Sequence, residues 1–409
     1  MTIIVVGGGA AGLIAAGTAA KSGHKVILIE KNDVLGRKLR ITGKGRCNIT
    51  NACEIEDMIS MYPTNSKFLY SALYTFTNDD IISLLEIYGV KTKIERGGRV
   101  FPESDDARDV VNAMRKYALL ENVRLIKTEV KQLIAENNKI KGVYTDLGQF
   151  FGDKVIMCTG GASYPQTGSD GLGYKMSEKL GHTIVKPTPS LVPLCAEDKW
   201  CKSVMGLSLR NVSVTAYNSK NKKIYSGFGE MLFTHFGVSG PLILSLSAHI
   251  KSEVKNGVKI KIDLKPALDE RQLDARVLRD FESQKNKHII NSLDALLPKA
   301  LIPVIIEKSG IDPHKKICEV THEERKKFVS IVKGLELTVT GFRPIAEAII
   351  TSGGVKVSEI NSSTMESKII KGLYFAGEII DVDGYTGGFN LQVAWSTGYL
   401  AGINACENI

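Results

Sequence analysis

The sequence predicts an α/β protein built on a parallel sheet, with an antiparallel β region and a helical region inserted into it. Three observations support this prediction. An apolar strand, a glycine-rich turn and an Ala-rich helix open the chain at residues 2–22. Short alternating strands begin near residue 190, and helical periodicity replaces them over 268–330. A strand, a glycine-rich turn and a helix return over 372–405, so both ends of the chain contribute to one α/β region.

Length, apolar runs and cysteine usage limit the class of protein. The chain has 409 residues, more than one ordinary core holds. No apolar run approaches the roughly 18 residues of a membrane span. The N-terminus lacks a basic segment and is typical of a first strand, not a signal peptide, so we expect a cytoplasmic protein. Seven scattered cysteines without CxxC spacing favour neither a disulfide scaffold nor a metal site.

The first helix follows a glycine motif with a mechanical role for each glycine. The strand Ile3 to Val6 runs into Gly7-x-Gly9-x-x-Gly12. In such motifs the first glycine makes a tight turn, the second lets the backbone approach a diphosphate, and the third lets helix and strand pack closely. Free N–H groups and the helix dipole favour an anion there. The motif predicts a dinucleotide site at Gly7, Gly9, Ala10, Ala11 and Gly12.

The second strand ends at an acidic residue that suits a ribose. It runs from Lys25 to Ile29 and stops at Glu30, 18 residues after Gly12. A carboxylate at that position accepts hydrogen bonds from ribose hydroxyls. This pattern alone fits both NAD and FAD. Gly36-Arg37-Lys38 follows, and in flavoproteins cations at this place complement the phosphate charge, which favours FAD.

The polar loop "TGKGRCNITN" occupies residues 42–51. It is too rich in glycine for a core strand and has no helical period. Gly43 and Gly45 permit close approach of the backbone to a ligand, and Asn48 and Asn51 can bond a flavin ring or the backbone. We expect the loop to wrap a buried cofactor. From the second strand to this loop, the expected cofactor contacts are Glu30, Lys31, Arg37, Lys38, Gly43, Gly45, Arg46, Cys47 and Asn48.

Arg37-Lys38, this loop and the block "GLYFAGEIIDVDGYTGGFNLQVAWSTGYLAGINA" at 372–405 resemble the YhiN/BaiN-like bacterial flavoproteins, an FAD-binding group of the glutathione-reductase-like superfamily. The resemblance covers essentially the full length. It implies a Rossmann-like FAD-binding domain interrupted by an antiparallel β-barrel-type substrate domain, itself interrupted by a small helical domain. The boundaries are 1–189 and 347–409 for the first domain, 190–267 and 331–346 for the second, and 268–330 for the helical insert.

The resemblance also implies cofactor contacts beyond the first sixty residues. Val130 lies on a strand whose counterpart in such flavoproteins is near the adenine, and Thr159, Gly160 and Gly161 end a buried strand beside the dinucleotide. In the C-terminal block, an acidic residue serves the ribityl or diphosphate region, and a glycine turn directs the last helix at the flavin N1–C2=O edge. The residues implied there are Gly377, Glu378, Asp381, Gly387, Gly388, Asn390 and Leu391.

A second dinucleotide fingerprint is missing from the sequence pattern. Gly171-x-Gly173 has no third glycine, and the strand before it is already used. We therefore expect no dedicated NAD(P)H domain. NAD(P)H is instead expected to bind transiently, as the reductant, in the substrate site.

Two side chains are candidates for catalysis besides the cofactor. Cys47 is a candidate general acid or charge-transfer thiol, and Lys44 and Arg46 beside it are expected to lower its pKa. Its C-x5-C spacing to Cys53 is not that of disulfide reductases. His235, in "LFTHFGVSGP", lies in the inserted region that covers the flavin face in such architectures. A purely structural role is the alternative for each.

The resemblance implies several reactions. Related proteins reduce conjugated C=C bonds of oxo-bile acids, oxidise aminoacetone, or form dihydrouridine in 23S ribosomal RNA. The first and third share hydride addition to a carbon that is β to a carbonyl. The FAD motifs do not separate these substrates. A flavin-binding RNA-interaction factor without catalysis is the alternative from another class.

The distribution of charge is the one feature that discriminates between these substrates. Residues 190–346 hold 25 Lys and Arg against 17 Asp and Glu, a net charge of +8 out of +9 for the whole chain. A solvated surface is one explanation, and attraction of a polyanion such as RNA is the other. A steroid pocket needs apolar lining instead. We therefore expect a uracil reductase acting on ribosomal RNA, with a small-molecule substrate as the alternative and no membrane or metal partner.

Overall fold

The computed structural model describes residues 1–251 and 253–407 of the chain. These residues fall into two units. The interrupted unit comprises Met1–Ser190 and the chain from Pro344 onward, and the inserted unit comprises Leu191–Arg343. Each unit has its own cluster of buried apolar side chains.

The first part of the interrupted unit alternates strands and helices. In chain order its elements are β1 (Thr2–Val6), α1 (Ala10–Lys21), β2 (Lys25–Glu30), β3 (Thr50–Asn51), α2 (Ile55–Ser60), α3 (Tyr70–Thr75), α4 (Asn78–Ile87), β4 (Thr92–Glu95), β5 (Arg99–Pro102), α5 (Ala107–Ala118), β6 (Val123–Lys127), β7 (Val130–Glu136), β8 (Lys139–Thr145), β9 (Gly148–Phe151), β10 (Lys154–Met157), α6 (Leu172–Lys179) and β11 (Ile184–Ser190).

The inserted unit is mainly antiparallel. Its elements are β12 (Leu194–Ala196), β13 (Ser208–Tyr217), β14 (Lys223–Thr234), β15 (Gly237–Ser239), α7 (Pro241–His249), β16 (Val258–Asp263), α8 (Glu270–Glu282), α9 (Ile302–Ser309), α10 (His322–Lys333) and β17 (Leu335–Phe342). The chain then returns to the interrupted unit through β18 (Ile350–Val355), β19 (Leu373–Phe375) and α11 (Phe389–Asn404).

A parallel sheet with strand order β19-β10-β1-β2-β6 forms the centre of the interrupted unit. Val5 of β1 lies opposite Ile156 of β10 on one side and Leu28 of β2 on the other. The four residues Ile3 to Val6 are buried, as expected for a parallel strand covered on both faces. The α/β prediction is confirmed, and the sheet joins a strand from the start of the chain to one from its end.

Six strands of the inserted unit close a barrel in the order β12-β15-β14-β13-β16-β17. The pattern of β16 shows why: Val258, Ile260 and Ile262 are buried, while Lys259 and Lys261 alternate with them and are exposed. The helices α8, α9 and α10 lie between β16 and β17 in sequence. The prediction of an antiparallel barrel-type fold with a helical insert is therefore confirmed.

Some helices of the protein begin with a side-chain cap and others do not. Helices α4, α8 and α10 each begin with a capping box, formed by Thr77 with Asp80, Asp269 with Gln272, and Thr321 with Glu324. Helices α1 and α11 begin at Gly9 and Gly388, and neither has a side-chain cap. Their first N–H groups are left for another partner. Separately, none of the helices in the described parts of the chain is long and apolar enough to cross a membrane.

Candidate cofactor site

The turn from β1 to α1 gives each of its three motif glycines a different environment. Gly7 has φ +104, and a Cβ there would lie 2.4 Å from the carbonyl oxygen of Cys158. A Cβ on Gly12 would lie 1.8 Å from the carbonyl oxygen of Gly7. A Cβ on Gly9 would meet no atom within 4 Å. The first and third glycines are therefore required by packing, and the second faces open space at the uncapped start of α1.

The carboxylate of Glu30 is fixed beside this turn. The residue is 9% exposed. Its Oε2 accepts from the backbone N–H of Gly8 at 2.6 Å, and its Oε1 accepts from the backbone and side-chain nitrogens of Asn32 at 2.8 and 2.7 Å. Asn32 is not among the contacts predicted from the sequence, although an amide two residues after the predicted carboxylate is a usable signal. Next to it, Lys31 is ion-paired with Asp170 and Glu129 at 2.6 and 3.3 Å.

Lys38 belongs to a charged network that joins distant parts of the interrupted unit. Its Nζ donates to Glu378 Oε2 at 2.6 Å and to Ser163 Oγ at 2.7 Å. Glu378 Oε1 also accepts from Ser163 Oγ and from the backbone N–H of Thr351, both at 2.8 Å. Lys38 thus has a counter-charge within the protein. Arg37 is exposed and donates to Asn32 Oδ1 at 3.1 Å.

The loop at 42–51 has the backbone conformations that its glycines predict. Gly43 and Gly45 have φ +58 and +88, and Lys44 and Cys47 also have positive φ. The guanidinium of Arg46 donates to Glu95 at 2.7 Å and to Asp105 at 3.1 Å, and it lies 3.9 Å from the centre of the Phe101 ring. These partners hold Arg46 in an ion-pair network on the loop.

Cys47 is buried in the apolar cluster of the interrupted unit, and its side chain has one hydrogen-bond partner there, the side chain of Thr42. The Cys47 side chain is 0% exposed, and burial raises the pKa of its thiol to about 12. The expectation that Lys44 and Arg46 lower this pKa is wrong, because desolvation of the thiolate is the larger effect. The thiol is therefore protonated at neutral pH.

We expect Cys47 to resist alkylation in the folded protein at pH 8, while the exposed Cys318 reacts with iodoacetamide. Mass spectrometry of tryptic peptides, with and without urea, measures both rates. Labelling of Cys47 at the rate of Cys318 without urea would contradict its burial.

Because the pKa of the Cys47 thiol in the folded state is above the ordinary 9.0, Cys47 also makes the protein less stable as pH rises from 9 towards 12.

The loop at 42–51 is bonded to the turn that precedes α11. In the amide orientation that satisfies both its groups, Asn48 accepts from the backbone N–H of Gly388 at 2.9 Å and donates to the carbonyl of Thr50 at 3.1 Å. Asn51 Nδ2 donates to the carbonyl of Gly387 at 3.0 Å. A Cβ on Gly388 would lie 2.2 Å from the carbonyl oxygen of Thr50. The structure therefore brings together two predicted cofactor segments from opposite ends of the chain.

Other predicted C-terminal residues have structural partners of their own. Asn390 folds back on the turn: its Oδ1 accepts from the N–H of Gly384, and its Nδ2 donates to the Gly384 carbonyl, both at 2.8 Å. Asp381 accepts from Asn65 Nδ2 at 3.0 Å. Gly377 has φ +77 and Leu391 is half-buried on α11. Gln392, which is not among the residues predicted from the sequence, is buried and accepts from Thr50 Oγ1 at 2.6 Å.

Helices α1 and α11 pack in parallel through small residues. A Cβ on Gly398 would lie 2.5 Å from the carbonyl oxygen of Ala11, and one on Gly402 would lie 2.9 Å from that of Ala15. Helix α11 has nine residues before Gly398, and α1 has one residue before Ala11. At 1.5 Å per residue, the start of α11 extends about 12 Å beyond the start of α1. The two uncapped helix starts therefore point the same way on neighbouring axes and are offset by about 12 Å along them.

A buried hydroxyl, that of Thr159, lies two residues after the end of β10. Thr159 Oγ1 is buried and has no hydrogen-bond partner among the described residues, and Thr159 follows Cys158, against which Gly7 packs. Gly160 has φ +72, and a Cβ on Gly161 would lie 2.4 Å from Thr351 Oγ1. Val130, the predicted adenine neighbour, is buried at the start of β7.

These groups fit FAD. Two uncapped helix starts suit anionic or electron-rich groups, the Glu30 carboxylate suits a ribose, and the space at Gly9 is open to a ligand. The other predicted catalytic residue, His235, is in the inserted unit, in the turn between β14 and β15. It is exposed, and the centre of its ring lies 4.9 Å from the centre of the Phe236 ring, with the two ring planes at 78°. Within the described residues, no group of three or more His, Cys, Asp or Glu could hold a metal ion.

Comparisons with known proteins agree on one family. The model for the HI0933-like protein Rossmann domain matches residues 1–404. The chain is 32% identical over 408 residues to a ribosomal RNA dihydrouridine synthase of Haemophilus influenzae, covering 98% of this chain and 97% of that protein. It is 30% identical over 410 residues to a 3-dehydro-bile acid delta(4,6)-reductase of Clostridium scindens, covering 98% of both.

A solved structure shares the fold. The 3-ketosteroid-delta4-(5alpha)-dehydrogenase of Rhodococcus jostii RHA1, in complex with 4-androstene-3,17-dione, aligns with a TM-score of 0.55. The alignment covers 99% of this chain and 96% of that chain at 14% identity. At this identity the likeness concerns the fold alone.

Proposed function

The chain belongs to the family of HI0933-like proteins and is an FAD-dependent oxidoreductase, and on that basis we propose that it reduces a uracil of 23S ribosomal RNA to dihydrouridine. The two relatives share one chemical task. The C5=C6 bond of uracil and the C=C bond of a 3-oxo steroid are each conjugated to a carbonyl. Bound FAD, once reduced by two electrons, would supply a hydride to the β-carbon, and the α-carbon would take a proton.

The interrupted unit would hold the cofactor. The start of α1 would receive the diphosphate, Glu30 the ribose, and the start of α11, with the Gly387–Gly388 turn, the flavin ring. The loop at 42–51 would cover the cofactor, since Asn48 and Asn51 tie it to that turn. In this assignment the inserted unit is the substrate domain.

The net charge of the inserted unit is the observation that favours RNA over a small molecule as the substrate. This unit holds the 25 Lys and Arg and 17 Asp and Glu counted above, which leaves +1 for the rest of the chain. Phosphate contacts supply most of the sequence-independent affinity of a protein for nucleic acid. A target base inside a stem would have to be extruded into the site. Action on ribosomal RNA would place the protein in the cytoplasm.

A small-molecule ene-reductase is the second candidate. The observation that favours it is the 30% identity over 410 residues to the bile acid reductase, which nearly equals the identity to the dihydrouridine synthase. Sequence similarity alone does not separate the two substrates. The net charge of +8 on the inserted unit is not needed for a steroid, and this favours RNA.

The proposed reaction also needs a proton donor and an electron donor. Cys47 keeps its proton at neutral pH, as a general acid must, but it is fully buried. His235 is exposed in the inserted unit, and an imidazole is a common proton donor in catalysis. We assign the proton transfer to one of these two residues. NAD(P)H is assigned as the reductant that binds transiently.

Deletion of the gene tests the function. We expect mass spectrometry of 23S ribosomal RNA from a deletion strain to show the loss of one dihydrouridine. The wild-type gene should restore it, and so should a Gly341→Asp variant, while Gly9→Asp should not. An unchanged dihydrouridine content in the deletion strain would overturn the RNA assignment. Enones would then be tested against the purified, reduced flavoprotein.

A further inference from the structure

The outward side of three barrel strands carries a regular pattern. Tyr217 of β13 lies opposite Lys223 of β14 and Lys259 of β16. Side chains of directly opposed residues point to the same face of a sheet. A β-bulge in β14 shifts the β13–β14 register between Ala216 and Tyr217, and two further rows lie beyond it. Together the three rows form what we call the outer sheet face: Ser213, Thr215, Tyr217, Lys223, Ser226, Phe228, Lys259, Lys261 and Asp263.

This face is directed to solvent. Phe228 is 56% exposed, and Lys223, Ser226, Lys259 and Lys261 are exposed as well. The residues that alternate with them, such as Val214 and Ile260, are 0% exposed and fill the barrel. The two aromatic side chains of the face, Tyr217 and Phe228, are therefore not part of the core.

The charge on the outer sheet face is positive. Lys223 and Lys259 form no ion pair with any described residue, whereas Lys261 pairs with Glu336 at 2.8 Å. The carboxylate of Asp263 is paired with Lys333 at 2.6 Å. Lys220 and Lys222 add two exposed cations in the turn that joins β13 to β14.

Two more cations lie near the end of the face that holds Ser213 and Asp263. Arg210 and Lys265 line one depression of the inserted unit, together with Ser208. Lys265 is half-buried, and burial together with the nearby Arg276 lowers the pKa of its ammonium group. Its Nζ has no carboxylate within ion-pair distance among the described residues. A desolvated cation beside another cation is stabilised by an anion.

Tyr217 and Phe228 are far enough apart to stack on different bases. Phe228 lies opposite Ser213, which is four residues before Tyr217 on β13. At ~3.3 Å per residue this is about 13 Å along the strand, several times the ~3.4 Å between stacked bases of one strand. Hydroxyls of Ser213, Thr215 and Ser226 lie between the rings. Aromatic platforms flanked by cations are the features with which proteins bind single-stranded nucleic acid.

We propose that the outer sheet face binds a single-stranded segment of RNA, with Tyr217 and Phe228 stacking on bases and Lys223 and Lys259 contacting phosphates. The inference rests on the proposed function, because it names the surface on which the ribosomal RNA would dock. The depression with Arg210 and Lys265 would receive a phosphate at the end of the track.

Binding of a fluorescein-labelled, mixed-sequence, single-stranded RNA to the FAD-loaded protein, measured by fluorescence anisotropy at several salt concentrations, tests this. Tyr217→Ala with Phe228→Ala should weaken binding roughly tenfold or more. Lys223→Gln with Lys259→Gln should reduce the slope of log K against log salt by about 1.4, which is ~0.7 for each lost phosphate contact to a single strand.

Two matched controls separate this face from the general surface. Lys326→Gln with Lys327→Gln removes the same charge from the exposed side of α10, and Tyr144→Ala with Phe151→Ala removes two exposed aromatic residues of the interrupted unit. Both should bind RNA like the wild type. Equal binding by the face variants and the controls would overturn the proposal. FAD content and circular dichroism confirm that each variant is folded.

The outcome is separable from that of the proposed function. If gene deletion removes the dihydrouridine but the face variants bind RNA like the controls, the surface is wrong and the function stands. If deletion removes no dihydrouridine, the function fails. The anisotropy measurement then still decides the surface.

Discussion

A Gly9→Asp variant is expected to fold normally and to contain no FAD. A side chain at position 9 meets no protein atom within 4 Å, so it causes no steric clash. An aspartate at the N-cap of α1 would accept from the first free N–H groups and stabilise the helix by roughly 0.3 kcal/mol relative to glycine. The same carboxylate would put a negative charge where the diphosphate would bind. FAD released by heat from purified protein should fall to background.

The control for this prediction is Gly341→Asp. Gly341 lies on β17 of the inserted unit, and a Cβ there also meets no atom within 4 Å. This variant should keep its FAD. A Gly9→Asp protein that is as yellow as the control would refute the diphosphate position at α1. A protein that fails to fold would refute the open space at Gly9.

A Gly398→Val variant should lose about 3 kcal/mol or more in the free energy of unfolding of the interrupted unit. The Cβ would lie 2.5 Å from the carbonyl oxygen of Ala11 and 2.6 Å from Ile14 Cγ2. The first of these is backbone, so relief requires α1 and α11 to move apart. Both helix starts would then shift, and FAD content should fall with stability.

Urea unfolding followed by circular dichroism and flavin fluorescence measures both effects. Gly341→Val is the matched control, since the same substitution on β17 has room and a strand accepts a β-branched residue. Equal midpoints for the two variants would contradict the close parallel packing of α1 and α11. A loss of stability without loss of FAD would show that the helix starts are not needed by the cofactor.

The sequence predicts those parts of the fold that depend on local pattern. Gly7 and Gly12 are recognisable because each has one steric task within a short strand-turn-helix segment. The alternation of Val258 to Ile262 likewise predicts an antiparallel strand with one buried face. In the same way, the uncapped start of α11 follows from the Gly387–Gly388 turn that the sequence shows.

The partners of the site residues were not predictable in the same way. Lys38 is paired with Glu378, 340 residues later, and no local pattern specifies that choice. The cations beside Cys47 in sequence predict a lowered pKa, whereas burial, which excludes water from the thiol, raises the pKa in the folded protein. Burial of a loop residue is decided by tertiary packing, which spacing along the chain does not encode.

The pairing of β10 with β19 and of α1 with α11 has a consequence for biosynthesis. The central sheet and the cofactor site both include residues of 373–404. The interrupted unit therefore cannot complete its fold until these residues have left the ribosome. The inserted unit, Leu191–Arg343, is continuous and is available to fold earlier during synthesis. The N-terminal part of the interrupted unit therefore stays incomplete during synthesis of the inserted unit, which separates it in sequence from β19 and α11.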